Sequence, residues 1–466
     1  MSLLQLDDER SPLIEGGAIT RTTRTAYALG HVFNDLVAAM WFSYTLLFLQ
    51  RVALLEPLTA GFLLLLGQVT DALMTPVFGV LVDRYSKRKT WHVIGSVMVG
   101  LSFPVIFGSF VPTASPTGSS KLLVYVASIV VFQTGWAAVQ ISHLSMIPAL
   151  AHTALLRAEL TAIRYSAQVS AAVVVFVVTW AVLPTTEESV ARIGPQDSIK
   201  FRNITVVLTL FGATSTILFH AFLNARLLEV SSQSSGSNEA VHCIEADLND
   251  SIVTGSKRPY RESSPSRRRK SSWLDIGLLA RVALLYVASR LFVTLATVYL
   301  PLYIEETNIG GRQALATVPM VSYASAFLAA FLLKHINRSC GSKFCYLLGS
   351  LIGLLAAVVV EFSESNGPTM YTAAVLIGAG SSITMVTALS ITADLIGSRT
   401  ESSALVYSIV TFLDKVVTGL VVLVIERSRC LDKETCPNYN RDSLALVCAS
   451  SMLLGLFTLT LVSKCI

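Results

Sequence analysis

Twelve apolar segments, each long enough to cross a lipid bilayer as an α-helix, dominate this sequence. Only 14% of its 466 residues are charged and 53% are hydrophobic, a balance that is typical of a multi-pass membrane protein. We therefore predict an all-α membrane protein with twelve transmembrane helices. The segments cover residues 26–50, 59–82, 91–111, 122–147, 160–183, 203–224, 275–303, 315–335, 343–362, 370–396, 403–426 and 442–463.

A repeated motif divides these segments into two sets of six. The pattern R-x-E-x-x-A-x-x-Y-S begins at Arg157 and recurs 242 residues later at Arg399, at the starts of the fifth and eleventh segments. We therefore predict two pseudo-symmetric six-helix bundles, residues 25–224 and 273–466. Parallel repeats of this kind place a substrate site at their interface, near the middle of the membrane.

Two polar stretches flank the first bundle. Residues 1–24 form a predicted N-terminal tail, and residues 225–272 form a serine-rich linker whose composition predicts disorder. The linker contains the basic run 267–270, which next to a membrane helix indicates a cytosolic loop and contact with anionic membrane lipid rather than nucleic acid. The basic loops after the second and eighth segments lie on the same side, so both termini are predicted to be cytosolic.

The predicted tail carries a short sorting motif. Glu9, Leu13 and Ile14 fit the acidic dileucine pattern [DE]-x-x-x-L-[LI], which adaptor complexes read on the cytosolic tails of endosomal and lysosomal proteins. The tail therefore predicts an adaptor complex as a partner and the lysosomal membrane as the location.

Several charged and polar side chains interrupt the apolar segments. Inserting an ionised Asp near the centre of a lipid-exposed helix costs about 3 kcal/mol of free energy. Asp71 in the second segment is therefore expected to face a bundle interior or a water-filled cavity. Charges of both signs within the segments must pair with each other or with a substrate. The candidate substrate and coupling residues are Asp35, Gln68, Asp71, Thr75, His143, Arg164, Arg290, Asp414 and Lys415.

Some of these candidates also have purely structural interpretations. His31 and Asp35 lie four residues apart on one helical face, where a local hydrogen bond is the simpler explanation. His143 ends a polar stripe with Gln133, Trp136 and Gln140, which either packs within the bundle or lines a cavity. For Asp71 the structural alternative is a hydrogen bond between packed helices.

A second set of charges lies at the predicted cytosolic ends of the segments. We interpret them as gate and interface charges that hold the two bundles together on that side. They are Asp83, Arg84, Arg157, Glu159, Arg399 and Glu401.

Chemistry other than transport has little support in the sequence. The seven cysteines show no C-x-x-C pair and no zinc spacing, and no catalytic triad or phosphate-binding loop is present, so we predict no enzyme activity, metal or cofactor. Cys430 and Cys436 share one polar loop and could form a disulfide if that loop faces an oxidising lumen.

The end of the second segment resembles a known family. Residues 79–89 (GVLVDRYSKRK) are similar to the loop between helices two and three of the major facilitator superfamily, G-x-x-x-D-R-x-x-R-[KR]. Residues 71–79 (DALMTPVFG) resemble its glycoside–cation symporter branch. Many members of that branch have a second carboxylate where this chain has Thr75, and the difference favours a proton over sodium as the coupling ion.

Further motifs resemble one animal branch of that superfamily more closely. They include residues 30–36 (GHVFNDL), 140–145 (QISHLS), 392–397 (TADLIG) and 412–416 (FLDKV). That branch is associated with lysosomes, melanosomes and the import of cysteine. The resemblance implies a cysteine importer that works by alternating access; the alternatives are a sugar–cation symporter and a membrane scaffold that transports nothing.

Overall fold

The computed structural model of the chain describes residues 20–85, 87–108, 118–151, 154–183, 193–223, 273–307, 311–362, 367–396, 403–430 and 436–463. Within these ranges the chain is built of helices joined by short connections, and eleven helices are long and apolar enough to cross a membrane. A further helix, Ser403–Arg427, coincides with the eleventh predicted segment. The predicted all-helical membrane architecture is confirmed.

The N-terminal half contains six membrane-crossing units. The first unit joins two helices and a final π-helical turn, and a five-residue helix follows the fourth unit. The helices are α1 (Arg21–Leu29), α2 (Val32–Leu47), α3 (Pro57–Tyr85), α4 (Arg88–Phe107), α5 (Gly118–Leu144), α6 (Met146–Leu150), α7 (Ala154–Val182) and α8 (Ser198–Phe222).

The C-terminal half contains six more units in five helical stretches, one of which is interrupted by non-helical backbone. These are α9 (Trp273–Thr307), α10 (Ala314–Glu361), α11 (Gly367–Ile396), α12 (Ser403–Arg427) and α13 (Tyr439–Ser463). Helix α10 covers the eighth and ninth predicted segments and changes direction at Gly341, where φ is 79° and ψ is 161°. Glycine adopts a positive φ without steric cost, so this position separates two membrane spans without a loop.

The first predicted segment, 26–50, differs from a single continuous helix. A turn at Gly30 and His31 separates α1 from α2, and α1 begins at Arg21, inside the predicted tail 1–24. The rest of that tail and the linker 225–272 lie outside the described residues, so the predicted domain boundaries stay predictions.

The distribution of apolar side chains fits a bilayer. Large aromatic residues such as Trp41, Phe103 and Phe132 are fully buried between the helices of the N-terminal half. On the outside of the bundle, the side chains of Leu101 and Leu210 are 70% and 65% exposed. Such an apolar surface is favourable in contact with lipid and unfavourable in contact with water.

Among the described residues, the main contacts between the two halves are those of α2 with α9, of α3 with α12, and of α7 with α10. We call the end of the bundle that carries Arg21 and Ser463 the proximal end, and the opposite end, with the connections after α2, α9 and α12, the distal end. The seam between α3 and α12 runs through both the middle of the bundle and its distal end.

Candidate functional site

An ion pair joins the two halves in the middle of the bundle. Lys415 on α12 places Nζ 2.5 Å from Asp71 Oδ2 on α3, and both side chains are about nine-tenths buried. The Thr75 hydroxyl lies 3.3 Å from Asp71 Oδ1 and 3.4 Å from Lys415 Nζ. Gln68, one turn before Asp71, is also buried. The structure therefore brings together four of the predicted residues, which were separated by up to 347 positions in the chain.

A second ion pair lies beside the first within the C-terminal half. Arg290 Nε on α9 is 3.0 Å from Asp414 Oδ2, and the Thr418 hydroxyl is 3.3 Å from Asp414 Oδ1. Because Asp414 and Lys415 are neighbours in α12, two anions and two cations meet at this interface. Their charges sum to zero, which lowers the cost of holding them in the membrane.

Histidines hold the turn between α1 and α2 in place. His143 Nε2 donates to the Tyr27 carbonyl at 2.9 Å, and His92 Nε2 donates to the Gly30 carbonyl at 2.7 Å. Without the imidazoles, these carbonyls would lack hydrogen-bond donors, because the helix is interrupted at this point. His220 Nε2 donates to His92 Nδ1 at 3.1 Å and extends the series toward the proximal end. His143 therefore lies inside the N-terminal half, stacked on the Tyr27 ring at 4.2 Å between centroids.

The same turn places His31 between two predicted residues. His31 Nδ1 is 2.9 Å from Asp35 Oδ1, and Arg164 Nη2 on α7 is 3.2 Å from His31 Nε2. The predicted contact between His31 and Asp35 is therefore present, and Arg164 extends it to α7. This cluster is separate from the central ion pairs in its contacts.

At the distal end, Glu426 on α12 joins the halves through a buried hydrogen-bond network. Its carboxylate accepts from Gln50 Nε2 at 2.7 Å, from the Tyr299 hydroxyl at 2.9 Å and from Arg429 Nε at 2.6 Å. Gln50 belongs to the N-terminal half and the other donors to the C-terminal half. A Cβ atom added to Gly61 on α3 would lie 3.1 Å from Glu426 Cβ, so the two helices are in close contact here.

Two further ion pairs cross between the halves at the distal end. Arg51 Nη2 is 2.9 Å from Glu305 Oε2, and Arg312 Nη1 is 2.9 Å from Asp197 Oδ1. Asp197 is fully buried. Together with Glu426, these pairs close the distal end of the interface in this conformation.

The distal loop after α12 contains the two predicted disulfide cysteines. Cys430 and Cys436 are bonded in the structure, with 6.1 Å between their Cα atoms. The bond follows Arg429 directly, so it constrains the loop that supplies one of the donors to Glu426.

The predicted gate and sorting residues are only partly described. Asp83 and Arg84 are exposed at the proximal end of α3, and Glu159 pairs with Arg24 of its own half at 2.6 Å. Among described side chains, none of these three pairs with the C-terminal half. The side chain of Arg157 and the residues Arg399, Glu401, Glu9, Leu13 and Ile14 lie outside the described part.

The residues of the distal network and two histidines of the series, His92 and His220, were not among the predicted site residues. Glu426 and Tyr299 lie near helix ends, where a polar residue is unremarkable, and their partners are distant in the chain. His92 and His220 gave a clearer signal, because each is a histidine within an apolar segment. Such residues need a polar partner in a membrane.

Comparison with known proteins gives two kinds of match. Residues 26–246 and 257–426 match the family described as "MFS/sugar transport protein". The chain is 37% identical over 436 residues to "Major facilitator superfamily domain-containing protein 12" of Homo sapiens, covering 90% of this chain and 87% of that protein.

Solved structures with a similar fold include transporters of different solutes. The xylose transporter XylE from E. coli, in its inward open conformation, has a TM-score of 0.63 at 14% identity and covers 94% of each chain. A peptide transporter POT in complex with sulfate has a TM-score of 0.65 at 13% identity, covering 97% of this chain and 96% of that one. At such identities these likenesses show the fold alone.

Proposed function

The chain belongs to the major facilitator superfamily, within its MFS/sugar transport family, and on that basis we propose that it imports cysteine into lysosomes and melanosomes as a secondary active transporter. Membership makes it a multi-pass membrane transporter, a class that normally has no enzyme activity. Cysteine and the organelle rest on the motif resemblance described above, including residues 30–36 and 140–145.

The observation that carries this proposal is the ion pair between Asp71 and Lys415. The Lys415 side chain ends in a primary ammonium, the same group that an amino acid offers, so Asp71 already binds this chemistry at 2.5 Å. An amino-acid zwitterion carries no net charge and therefore enters without adding a net charge to the membrane interior. Its carboxylate would bind one of the cations Arg164, Arg290 or Lys415.

Competition at Asp71 also offers a route to proton coupling. A proton and the substrate ammonium both bind the Asp71 carboxylate, so one excludes the other. A proton that occupies the Asp71 carboxylate would remove its attraction for the ammonium and so favour release of the substrate. Return of the protonated carrier then moves a proton to the cytosol; Asp35 is the other carboxyl that could take this role.

Uptake of labelled cysteine by isolated organelles tests the proposed function. We expect uptake that depends on this protein and that unlabelled cysteine suppresses, whereas xylose and other sugars leave it unchanged. Suppression by sugars would favour the sugar–cation symporter instead. An absence of uptake of any of these solutes by abundant, correctly located protein would favour the membrane scaffold.

The proposed lysosomal address gives a prediction for the N-terminal tail. Changing Leu13 and Ile14 together to Ala is expected to shift the protein toward the plasma membrane, because an adaptor complex can no longer bind the motif. Surface biotinylation measures the shift, and the exchange of Leu3 and Leu4 for Ala in the same tail serves as the control. Complete retention of the Leu13/Ile14 variant with lysosomal markers would show that another segment carries the address.

A further inference from the structure

Arg164 differs from Arg290 and Lys415, the two other candidate cations, because it has no carboxylate partner among the described residues. Arg290 is paired with Asp414 and Lys415 with Asp71, at 3.0 and 2.5 Å. The guanidinium of Arg164 contacts only an imidazole in the described part of the chain, His31 Nε2 at 3.2 Å. A substrate carboxylate can therefore bind Arg164 without first separating an existing ion pair.

The contact with Arg164 fixes the protonation of His31. A guanidinium has only N–H donors, so His31 Nε2 must accept and cannot carry a hydrogen. The remaining nitrogen, Nδ1, therefore carries the hydrogen and donates it to Asp35 Oδ1 at 2.9 Å. Asp35 thus holds His31 in the one neutral form that can accept from Arg164.

The surroundings of this group leave polar atoms without partners. Buried atoms that lack a hydrogen bond to any described residue include Asp35 Oδ2, Arg164 Nε, His143 Nδ1 and the Tyr27 hydroxyl. Buried polar atoms in native proteins are nearly always satisfied by protein, water or a bound ligand. Several such atoms around one cation that has no carboxylate partner in the described part of the chain favour a polar ligand at this place.

We propose that Arg164 binds the carboxylate of the transported substrate, and that Asp35 and His31 are positioning residues which hold its guanidinium in place. This inference rests on the proposed function for the identity of the substrate. It selects Arg164 among the three candidate cations. It also gives Asp35 a role through His31 rather than in direct contact with the substrate.

The test compares two competitors of labelled cysteine uptake. Cysteamine lacks the carboxylate of cysteine, and 3-mercaptopropionate lacks its ammonium. In Arg164→Gln and Asp35→Asn, we expect the KM for cysteine and the inhibition constant of 3-mercaptopropionate to rise about tenfold. A rise of this size corresponds to the loss of one hydrogen bond to a charged group. The inhibition constant of cysteamine should stay within about twofold of wild type.

A matched control and a conservative variant separate positioning from stability. Lys121→Gln changes a cation at the distal end that contacts the Ala53 carbonyl rather than the Arg164 cluster, so both inhibition constants should remain at wild-type values. Arg164→Lys keeps the positive charge, so its inhibition constant for 3-mercaptopropionate should rise less than that of Arg164→Gln. Equal changes for both competitors in Asp35→Asn, or none in Arg164→Gln, would overturn the inference.

A binding measurement on the purified protein keeps this inference distinct from the proposed function. We expect 3-mercaptopropionate to raise the Tm of wild type and to leave the Tm of Arg164→Gln unchanged. If wild type takes up no cysteine but shows this shift, the proposed function fails while the carboxylate site stands. If wild type transports cysteine and the shift persists in Arg164→Gln, the carboxylate binds elsewhere and the inference fails.

Discussion

Uptake should fall about 100-fold or more when Asp71 is changed to Asn, while the protein remains at its normal location. The amide keeps the size of the carboxyl group but cannot ionise, take up a proton or pair with an ammonium. If Asp71 served only to pack helices, Asn would be tolerated, because a neutral amide costs less in a membrane than a charge. Uptake across a range of luminal pH, normalised to the protein in the organelle, measures the effect.

The partner of Asp71 supplies the control for this experiment. Asp71→Asn alone leaves Lys415 without its carboxylate, and loss of one partner of a buried pair costs about 3 to 5 kcal/mol. The double variant Asp71→Asn, Lys415→Gln removes both charges and should recover thermal stability without recovering uptake. Wild-type rates with wild-type pH dependence in the single variant would assign Asp71 to structure alone.

Glu426→Gln is expected to open the distal end of the bundle. Gln50, Tyr299 and Arg429 all donate hydrogen bonds to the native Glu426 carboxylate. The amide of the variant loses the ion pair with Arg429. Its NH2 group is a donor, so it cannot accept from Gln50 or Tyr299 where a carboxylate oxygen did. A loss of about 2 kcal/mol of interaction free energy makes the locally open state about 30-fold more populated. Hydrogen–deuterium exchange should therefore accelerate in peptides on both sides of the seam, residues 47–62 and 419–430.

Glu306→Gln is the matched control for Glu426→Gln. Glu306 accepts from the backbone N–H groups of Asn440 and Arg441, both in its own half, at 2.7 and 3.1 Å. Its replacement should accelerate exchange near the start of α13 and leave residues 47–62 unchanged. Equal exchange across the seam in wild type and Glu426→Gln would mean that Glu426 does not hold the halves together.

The sequence predicted the helices well because a membrane imposes a simple rule. Every backbone group in the bilayer core must be satisfied within the chain, so an apolar run of sufficient length becomes a helix. Short-range relations were equally accessible, and the contact of His31 with Asp35 follows from their spacing of four residues. The turn at Gly30 could not be predicted from local spacing, because the imidazoles that stabilise it come from α4 and α5.

Pairings across the chain could not be read from spacing. The charge of Asp71 required a partner, but nothing in the sequence selects Lys415 over Arg164 or Arg290 for that role. The distal network was harder still, because Glu426 lies one residue from the end of α12 and resembles an ordinary loop charge. Only the packing of α3 against α12 shows that this carboxylate is buried between the halves.

Helix α12 carries both Lys415 and Glu426, eleven residues apart, which places them about 16 Å from each other along one rigid axis. Between them lies Gly419, where an added Cβ would come within 2.7 Å of the Leu65 side chain on α3. An empty carrier therefore has to separate the mid-membrane pair and the distal network with a single movement of this helix. If substrate displaces Lys415 from Asp71, as proposed above, it removes one of those two barriers in advance, so movement of the empty carrier should be slow.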